Sequence, residues 1–570
     1  MHKNEKPRIG LLAYGILTLI IFIAVHLLFS GMASDTGAKI ISKAQQYLSI
    51  APRTEGTSDK ETAPDGNDEE SYIKRYGLPN LNRMSKEDRA TYITPLLMNQ
   101  KIEALNITMD DCLTPEKRWK DIYHAVNPEL GYTQEAEFTG TTTSELNTFL
   151  ATNHNKVVRI VNEELSYDQP INVPSNIIIQ GAPTTIVGSN EVNGAIRIEE
   201  VENVNVSGLN IKGGAKGYFI KNCKSILIEQ CEITDCTDYA MVLAGGSEYK
   251  IRNNTFDHNL GGITVQGGTN HSVIEENSIL NGTSITNAMA GIVLDSSNYI
   301  VPEKYIKEST ILERLDCPHD IVIYGNYIAE NRANGIYCVG PYYIYILNNV
   351  LKSNDKEGIC LDWGTIGTYL AENTISYNGY RMDQTDEDLK HDYVDSFGRL
   401  SDGSSPAKLP GVSLDNAMWN IIANNRINNN AGSGIKSVRT AIENIIIQNS
   451  IIDNNAGESE KFHFFGIELG YARGGEEEDK MNRRMDFTSN YGNIICRNMI
   501  VGPHYAGIFL AEECYINDLF DNSILGCKNW SMECLSDRLN SSMNNYSTIE
   551  SRGINLTDPV YYIDIPGVKN

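Results

Sequence analysis

Between about residue 196 and residue 527, apolar residues recur in short β-branched runs on a template of roughly 22 residues, G-I-x-L-x followed by I-x-x-N-x-I-x-x-N. "GGITVQGGTNHSVIEENSILNG", "NGIYCVGPYYIYILNNVLKSN", "EGICLDWGTIGTYLAENTISYN" and "PGVSLDNAMWNIIANNRINNN" show it best. Each unit holds three short runs with turn residues between them. No segment from 160 to 527 carries helical periodicity over a useful length. A unit of this size cannot bury its own apolar side, so the pattern predicts stacked coils, an all-β parallel β-helix whose coils lie about 4.8 Å apart.

The template also separates inside from outside. In G-I-x-L-x the Ile and Leu face the core, so both x positions face solvent. The second x column runs Ala244, Gln266, Asp295, Val339, Asp362, Asp415, Val438, Gly470, Ala511. The first includes Tyr337, Ser413, Lys436 and Glu468. Polar groups therefore crowd into the middle of one sheet. Asn254, Asn277, Asn326, Asn349, Asn373, Asn425, Asn449, Asn498 and Asn522 share one further column. Asn259, Asn331, Asn354, Asn378, Asn430 and Asn454 share another. Stacked Asn side chains bond backbone and each other up such a ladder, and Asn tolerates the left-handed geometry of a sharp corner. Cys231, Cys236 and Cys527 fall in these columns, which makes them buried corner residues that behave as small hydrophobes.

Both ends depart from the template. "TTTSELNTFLATNHNKVVRI" reads as a capped helix with Leu146, Phe149 and Leu150 on its apolar face, covering the open end of the solenoid. Residues 71–139 form a small helical region with helices in "SKEDRATYITPLLMNQKIEAL" and "TPEKRWKDIYHAV", residues 140–530 the β-helix with inserted loops, and 531–570 a tail packed on or capping it. Residues 1–8 carry Lys3, Lys6 and Arg8, and the apolar run 9–33 is long enough to span a bilayer of roughly 30 Å. A single-pass signal-anchor with its positive flank in the cytoplasm is expected, the bulk of the chain lying outside, at the cell surface or in a periplasm. The alternative is a signal peptide cut near "GMA". Residues 34–70 are a polar, acidic linker. The net charge of −25 argues against nucleic acid as a partner. Eleven cysteines, odd in number and without a C-x-x-C pair, suit neither a disulfide framework nor a zinc site.

Three insertions interrupt the template where the polar columns lie. "SSNYIVPEKYIKESTILERLDCPHD" follows Asp295, "GYRMDQTDEDLKHDYVDSFGRLSDGSSPAKLP" precedes Gly411, and a third follows Gly470. Loops on both sides of one sheet wall a groove, and long loops in a repeat domain are usually functional.

With its "GIVLD" and "GICLD" strands, this repeat resembles the right-handed parallel β-helices of carbohydrate-processing proteins. That pectate lyase-like superfamily includes pectate lyases, polygalacturonases and periplasmic alginate C5-epimerases. The resemblance covers roughly residues 140–530 and implies right-handed winding and a polysaccharide substrate. The epimerase site carries D-P-H-D and, one coil on, an arginine after a GI-x-x-S strand. Here "CPHD" matches at Pro318, His319 and Asp320 but has Cys317 in the first position, and the arginine position falls near Gly340. Arg439 follows a "GIKSV" strand four coils from that of Asp295.

Asp362 and Asp415 on adjacent coils approach to about 5 Å, near the spacing of a retaining glycosidase pair, while Asp295 and Asp362 at about 10 Å are nearer the inverting arrangement. The Asp362–Asp415 pair also suits a Ca²⁺ ion. A uronate lyase or epimerase needs a base and a cation for the substrate carboxylate, for which His319, Lys436, Arg439 and Tyr337 are the candidates. Trp363, Asp320, Glu468 and His463 complete the set that substrate would touch. Several of these have a plainer role. The aspartates serve as turn residues, Lys436 and Glu468 as a surface ion pair, His319 as a strand start, and His463 as a core or rim residue beside aromatics. The expected function is a membrane-anchored, extracytoplasmic lyase or C5-epimerase. A glycoside hydrolase, or a noncatalytic binding or scaffold component of an envelope polysaccharide machine, stands beside it.

Overall fold

The computed structural model describes residues 101–102, 105–187, 194–295, 317–380, 408–437, 441–454, 463–470, 490–511, 514–536, 540–549 and 551–553. The apolar run 9–33, the linker, most of the first expected helix, the bulk of the three long insertions and Arg439 lie outside them. No helix among the described residues is long and apolar enough to cross a membrane.

Each β-branched run pairs in parallel with the run one coil on. In the first sheet the register passes Ile263↔Ile292, Ile292↔Ile336, Ile336↔Ile359, Ile359↔Val412 and Val412↔Ile435. The coils number about 13. Strand pairing extends from Glu135 to Gly553, beyond the 140–530 expected, because residues assigned to a C-terminal tail build a further coil. The inward Ile and Leu of G-I-x-L-x are fully buried, among them Ile292, Leu294, Ile359, Leu361 and Leu414. Each such side chain contributes roughly 1.5–3 kcal/mol of apolar burial.

The corners are held by asparagine ladders of one design. The backbone N–H of Asn254 donates to Asn277 Oδ1 on the next coil at 3.0 Å, and its Nδ2 donates to the same oxygen and to Ile228 O, both at 3.0 Å. The motif repeats through Asn326, Asn349, Asn373, Asn425, Asn449, Asn498 and Asn522, and in the second column from Asn331 to Asn454. Cys231 and Cys236 head the two columns, their N–H groups donating to Asn254 and Asn259. A third ladder, beyond the two expected columns, runs Thr368, Asn420, Asn444, Asn493, Asn517, Asn540 at the entry to the second sheet. The left-handed residue is not the ladder Asn but the one before it. Asn253, Glu276, Glu372, Trp419, Glu443 and Ile516 all have φ between 51° and 56° or at 58°. That turn aims the following Asn inward, where its amide can reach the coil above.

Among the described residues, three helices with defined ends flank the solenoid. Helix α1 (Met109–Leu113) and helix α2 (Pro115–Ala125) belong to the N-terminal segment, and helix α3 (Thr143–Leu150) is the expected end cap. The cap helix carries a full capping box between Thr142 and Glu145, and Leu146 and Leu150 are buried against the first coils. Helix α2 packs on the flank of the second sheet, with Tyr123 against Tyr324 at 5.4 Å. Gly367 (φ 65°) permits the approach of α1, since a Cβ there would stand 2.6 Å from Cys112 Sγ.

His504 is fully buried and neither ring nitrogen has a hydrogen-bond partner. Burial lowers its pKa to about 4. The unfolded chain therefore takes up a proton near pH 6.5 that the folded chain refuses. Stability contributed by neutral His504 is present above pH 6.5 and falls by roughly 3 kcal/mol as pH drops to about 4. Urea unfolding at pH 7.5 and pH 4.5 should show this loss, and His504→Leu should flatten the slope. Asn373→Ala removes the acceptor for the N–H and Nδ2 of Asn349. It should cost about 2–4 kcal/mol, whereas a loss below about 0.5 kcal/mol would mean that water replaces the ladder.

Candidate active site

The outer face of the first sheet carries both polar columns in the expected register. Gln266↔Asp295, Asp295↔Val339, Val339↔Asp362 and Asp362↔Asp415 are direct cross-strand neighbours. Tyr337↔Cys360, Cys360↔Ser413, Ser413↔Lys436 and Lys436↔Glu468 form the adjoining column. These positions point away from the core, yet most of those in the middle of the sheet do not face solvent. Tyr337, Ser413, Glu468, Asp362 and Asp415 are all buried, Asp415 at 2% exposure. On the earlier coils the cover is apolar. Tyr239, Val242, Val293, Tyr337 and Cys360 cluster with Ala290 and Ala333, and the Tyr239 hydroxyl donates to Ala288 O in the turn Asn287–Met289. Asp295, half-buried, is the more open end of the carboxylate row.

Burial turns the row into a bonded network, as desolvated polar groups require. The Tyr337 hydroxyl donates to Asp362 Oδ2 at 2.8 Å. Burial, and then the nearby Asp362 charge, raise the tyrosine pKa far above its usual value, so the phenol keeps its proton. Asn416 Nδ2 donates to Asp415 Oδ1 at 3.0 Å. Lys436 Nζ lies 2.8 Å from Glu468 Oε1, and Ser433 Oγ donates to Glu468 Oε2 at 2.6 Å. Lys436 and Glu468 do pair across neighbouring coils, but as a buried rather than a surface ion pair.

His319 and Asp320 stand elsewhere. They begin the second sheet, at its corner with the first, and are not on the floor of the carboxylate row. His319 Nδ1 lies 2.8 Å from Asp320 Oδ2, and the imidazole stacks on Tyr342 at 4.7 Å. Asp320 accepts from Arg118 Nε at 2.7 Å and Nη2 at 3.2 Å. Burial raises a carboxyl pKa, but the hydrogen bonds from His319 and Arg118 outweigh it and hold Asp320 below the usual range. The N-terminal helical segment thus supplies a fixed guanidinium. It also supplies Lys101, a buried ammonium that donates to Gly340 O and to Gly364 O at 3.4 Å, carbonyls that flank Asp362. Burial lowers its pKa. No pattern in the chain linked residues 101 and 118 to this region, because both contacts span more than two hundred positions.

His463 is half-buried and stacks on Tyr505 at 3.8 Å. Arg439 and the side chain of Trp363 lie outside the described residues, as do the loops expected to wall the groove. Among the described residues, no cluster of three or more His, Cys, Asp or Glu side chains is placed to hold a metal ion, so Asp362 and Asp415 offer two carboxylates but no third such ligand. All eleven cysteines are buried thiols.

The profile of a family described as the right-handed beta helix region matches residues 194–375 and 315–475. Residues 194–475 belong to the right-handed β-helix family. No curated protein sequence matches it. Solved structures similar to this β-helix include the A-module of the Azotobacter vinelandii mannuronan C-5 epimerase AlgE4, at 14% identity and a TM-score of 0.38, covering 76% of this chain and 96% of that one. The Streptococcus pneumoniae surface adhesin PfbA is 12% identical with a TM-score of 0.41, covering 70% and 90%. The catalytic domain of a GH87 alpha-1,3-glucanase is 12% identical with a TM-score of 0.35, covering 75% and 66%. At such identities and scores these likenesses carry no argument about chemistry, which rests on this β-helix's own residues.

Removing one member of the buried ion pair strands the other. Lys436→Met should destabilise the protein by about 3–5 kcal/mol, and Lys436→Met with Glu468→Leu should recover most of that loss. A double-mutant cycle in urea checks both values, and equal losses in single and double variants would show that the pair is not coupled.

Proposed function

We propose that this β-helix processes a polysaccharide at the outer face of its first sheet, with Asp362 and Asp415 as the paired carboxylates of a glycoside hydrolase. The register Asp362↔Asp415 carries the reading. One strand spacing of about 4.8 Å lies close to the roughly 5–5.5 Å of a retaining pair. Tyr337 orients Asp362 by its hydroxyl proton, and Asn416 orients Asp415. Asp295, two coils from Asp362 and more open, contacts the substrate beside them.

A second reading, a uronate lyase or C5-epimerase, is favoured by Lys436, which sits one coil beyond Ser413 in the neighbouring column. Its ammonium would neutralise a uronate carboxylate, with Asp362 and Asp415 holding a Ca²⁺ ion. The 2.8 Å contact to Glu468 already engages that ammonium, which ranks this reading second. The same proposal places the protein outside the cytoplasm, held by residues 9–33 as a membrane anchor and working on an envelope polysaccharide, where a noncatalytic scaffold is the rival role.

Mass spectrometry of an acidic and neutral glycan panel, incubated with the protein in deuterated water with and without a calcium chelator, tests this. Shortened, saturated chains are expected, with Asp362→Asn and Asp415→Asn each losing about 10²-fold or more in rate. Unsaturated ends would mean a lyase. Carbon-bound deuterium in intact chains would mean an epimerase, and binding without any change would leave the scaffold role.

A further inference from the structure

A second recess lies at the corner between the first and second sheets, outside the carboxylate row. His271, Asp320 and Tyr343 stand on three successive coils in one column, with φ of 43°, 54° and 53°. A left-handed backbone turns these side chains off the end of the strand instead of across the sheet. Helix α2 crosses this column and leaves a cleft of about 440 Å³ against it. Thr114, Lys117, Arg118 and Asp121 line the helical wall, and His271 and Asp320 the solenoid wall. Arg118 is rigid. Asp320 takes two of its nitrogens, and its guanidinium lies over the Tyr343 ring at 3.8 Å.

We infer that this cleft is a noncatalytic subsite for an uncharged sugar ring of the glycan, an inference that takes its ligand class from the function proposed above. The lining alternates charge. An anion entering beside Arg118 meets Asp111, Asp121 and Asp320, and a cation meets Lys117 and Arg118. A hydroxyl group both donates and accepts, so it can satisfy carboxylate and cationic neighbours at once. Ala125 is exposed at the edge of the lining, with the buried Ile122 beneath, and gives the C–H face of a pyranose an apolar contact. The fixed Arg118 lowers the ordering cost of binding. Position fits as well. His319 and Asp320 begin the strand that follows the Asp295 strand in the same coil, so the cleft and the more open end of the carboxylate row belong to one coil.

Saturation-transfer NMR on the full chain with maltopentaose, cellopentaose and mannopentaose, beside a pentameric uronate, tests the subsite. Lys117 and Asp121 are exposed rim residues outside the Arg118–Asp320 clamp, so Lys117→Ala with Asp121→Ala should fold normally, as a matching thermal melt would show. At least one neutral pentasaccharide should bind, and tenfold or more weakly in that double variant and in Arg118→Met. The subsite is overturned if only the uronate binds, if no neutral sugar binds, or if the rim variant and Arg118→Met bind the neutral sugar as tightly as the parent protein does. Cleavage of glycans by the same preparations reports separately on the carboxylate row, so either idea can fail alone.

Discussion

The hydrogen bond from a corner N–H to the Asn Oδ1 of the next coil is the interaction on which this protein depends. A coil must turn three times, and each turn points backbone groups into a dry interior where an unpaired N–H is costly. Asparagine solves this because one side chain carries both an acceptor and two donors. Asn373 accepts from the coil on one side, donates to the coil on the other, and donates to the carbonyls of Ile346 and Ala371. The residue before it takes the left-handed turn, at about 1–2 kcal/mol for a side chain other than glycine. The ladder bonds offset that strain.

A ladder counts coils and is indifferent to chain length between them. Successive asparagines are 23 or 24 residues apart in most coils, but 49 between Asn277 and Asn326, 52 between Asn373 and Asn425, and 49 between Asn449 and Asn498. Three long insertions are thereby absorbed without loss of register. Asp362 and Asp415 meet across one of them, because the corner bonds restore the coil on the far side. Strict register makes columns, and columns bring like side chains to one strand spacing. On the outer face of the first sheet this produces both the buried carboxylate pair and the buried Lys436–Glu468 pair.

The entry corner of the second sheet shows what happens where the ladder is absent. From Thr368 to Asn540 that corner is a ladder, but on the earlier coils Ser272, Ile321 and Ile344 hold the position. There the preceding left-handed residues, His271, Asp320 and Tyr343, face the N-terminal helices instead of a plain surface. Cys112 fits over Gly367, Tyr343 meets Asp111 and Arg118, and Asp320 takes the guanidinium. The helical segment docks where the solenoid offers charge and aromatic faces.

Much of this was legible in the chain, for a physical reason. A parallel coil repeats the same environment at every level, so burial, register and the two asparagine columns appear as periodicity, and Asp362 could be set beside Asp415 by counting. The third ladder was legible too, in the Asn that precedes "IIA", "III" and "IIC", but it occupies only the later coils and escaped a template drawn from all of them. Periodicity could not say whether an outward position meets water. Tyr337, Asp415 and Glu468 point outward and are buried, because burial depends on tertiary neighbours that a repeat pattern does not record. Nor could it place His319 and Asp320 at a corner, or bring Lys101 and Arg118 to the solenoid. Those contacts come from a segment outside the repeat, and only the packing of that segment against the coils decided them.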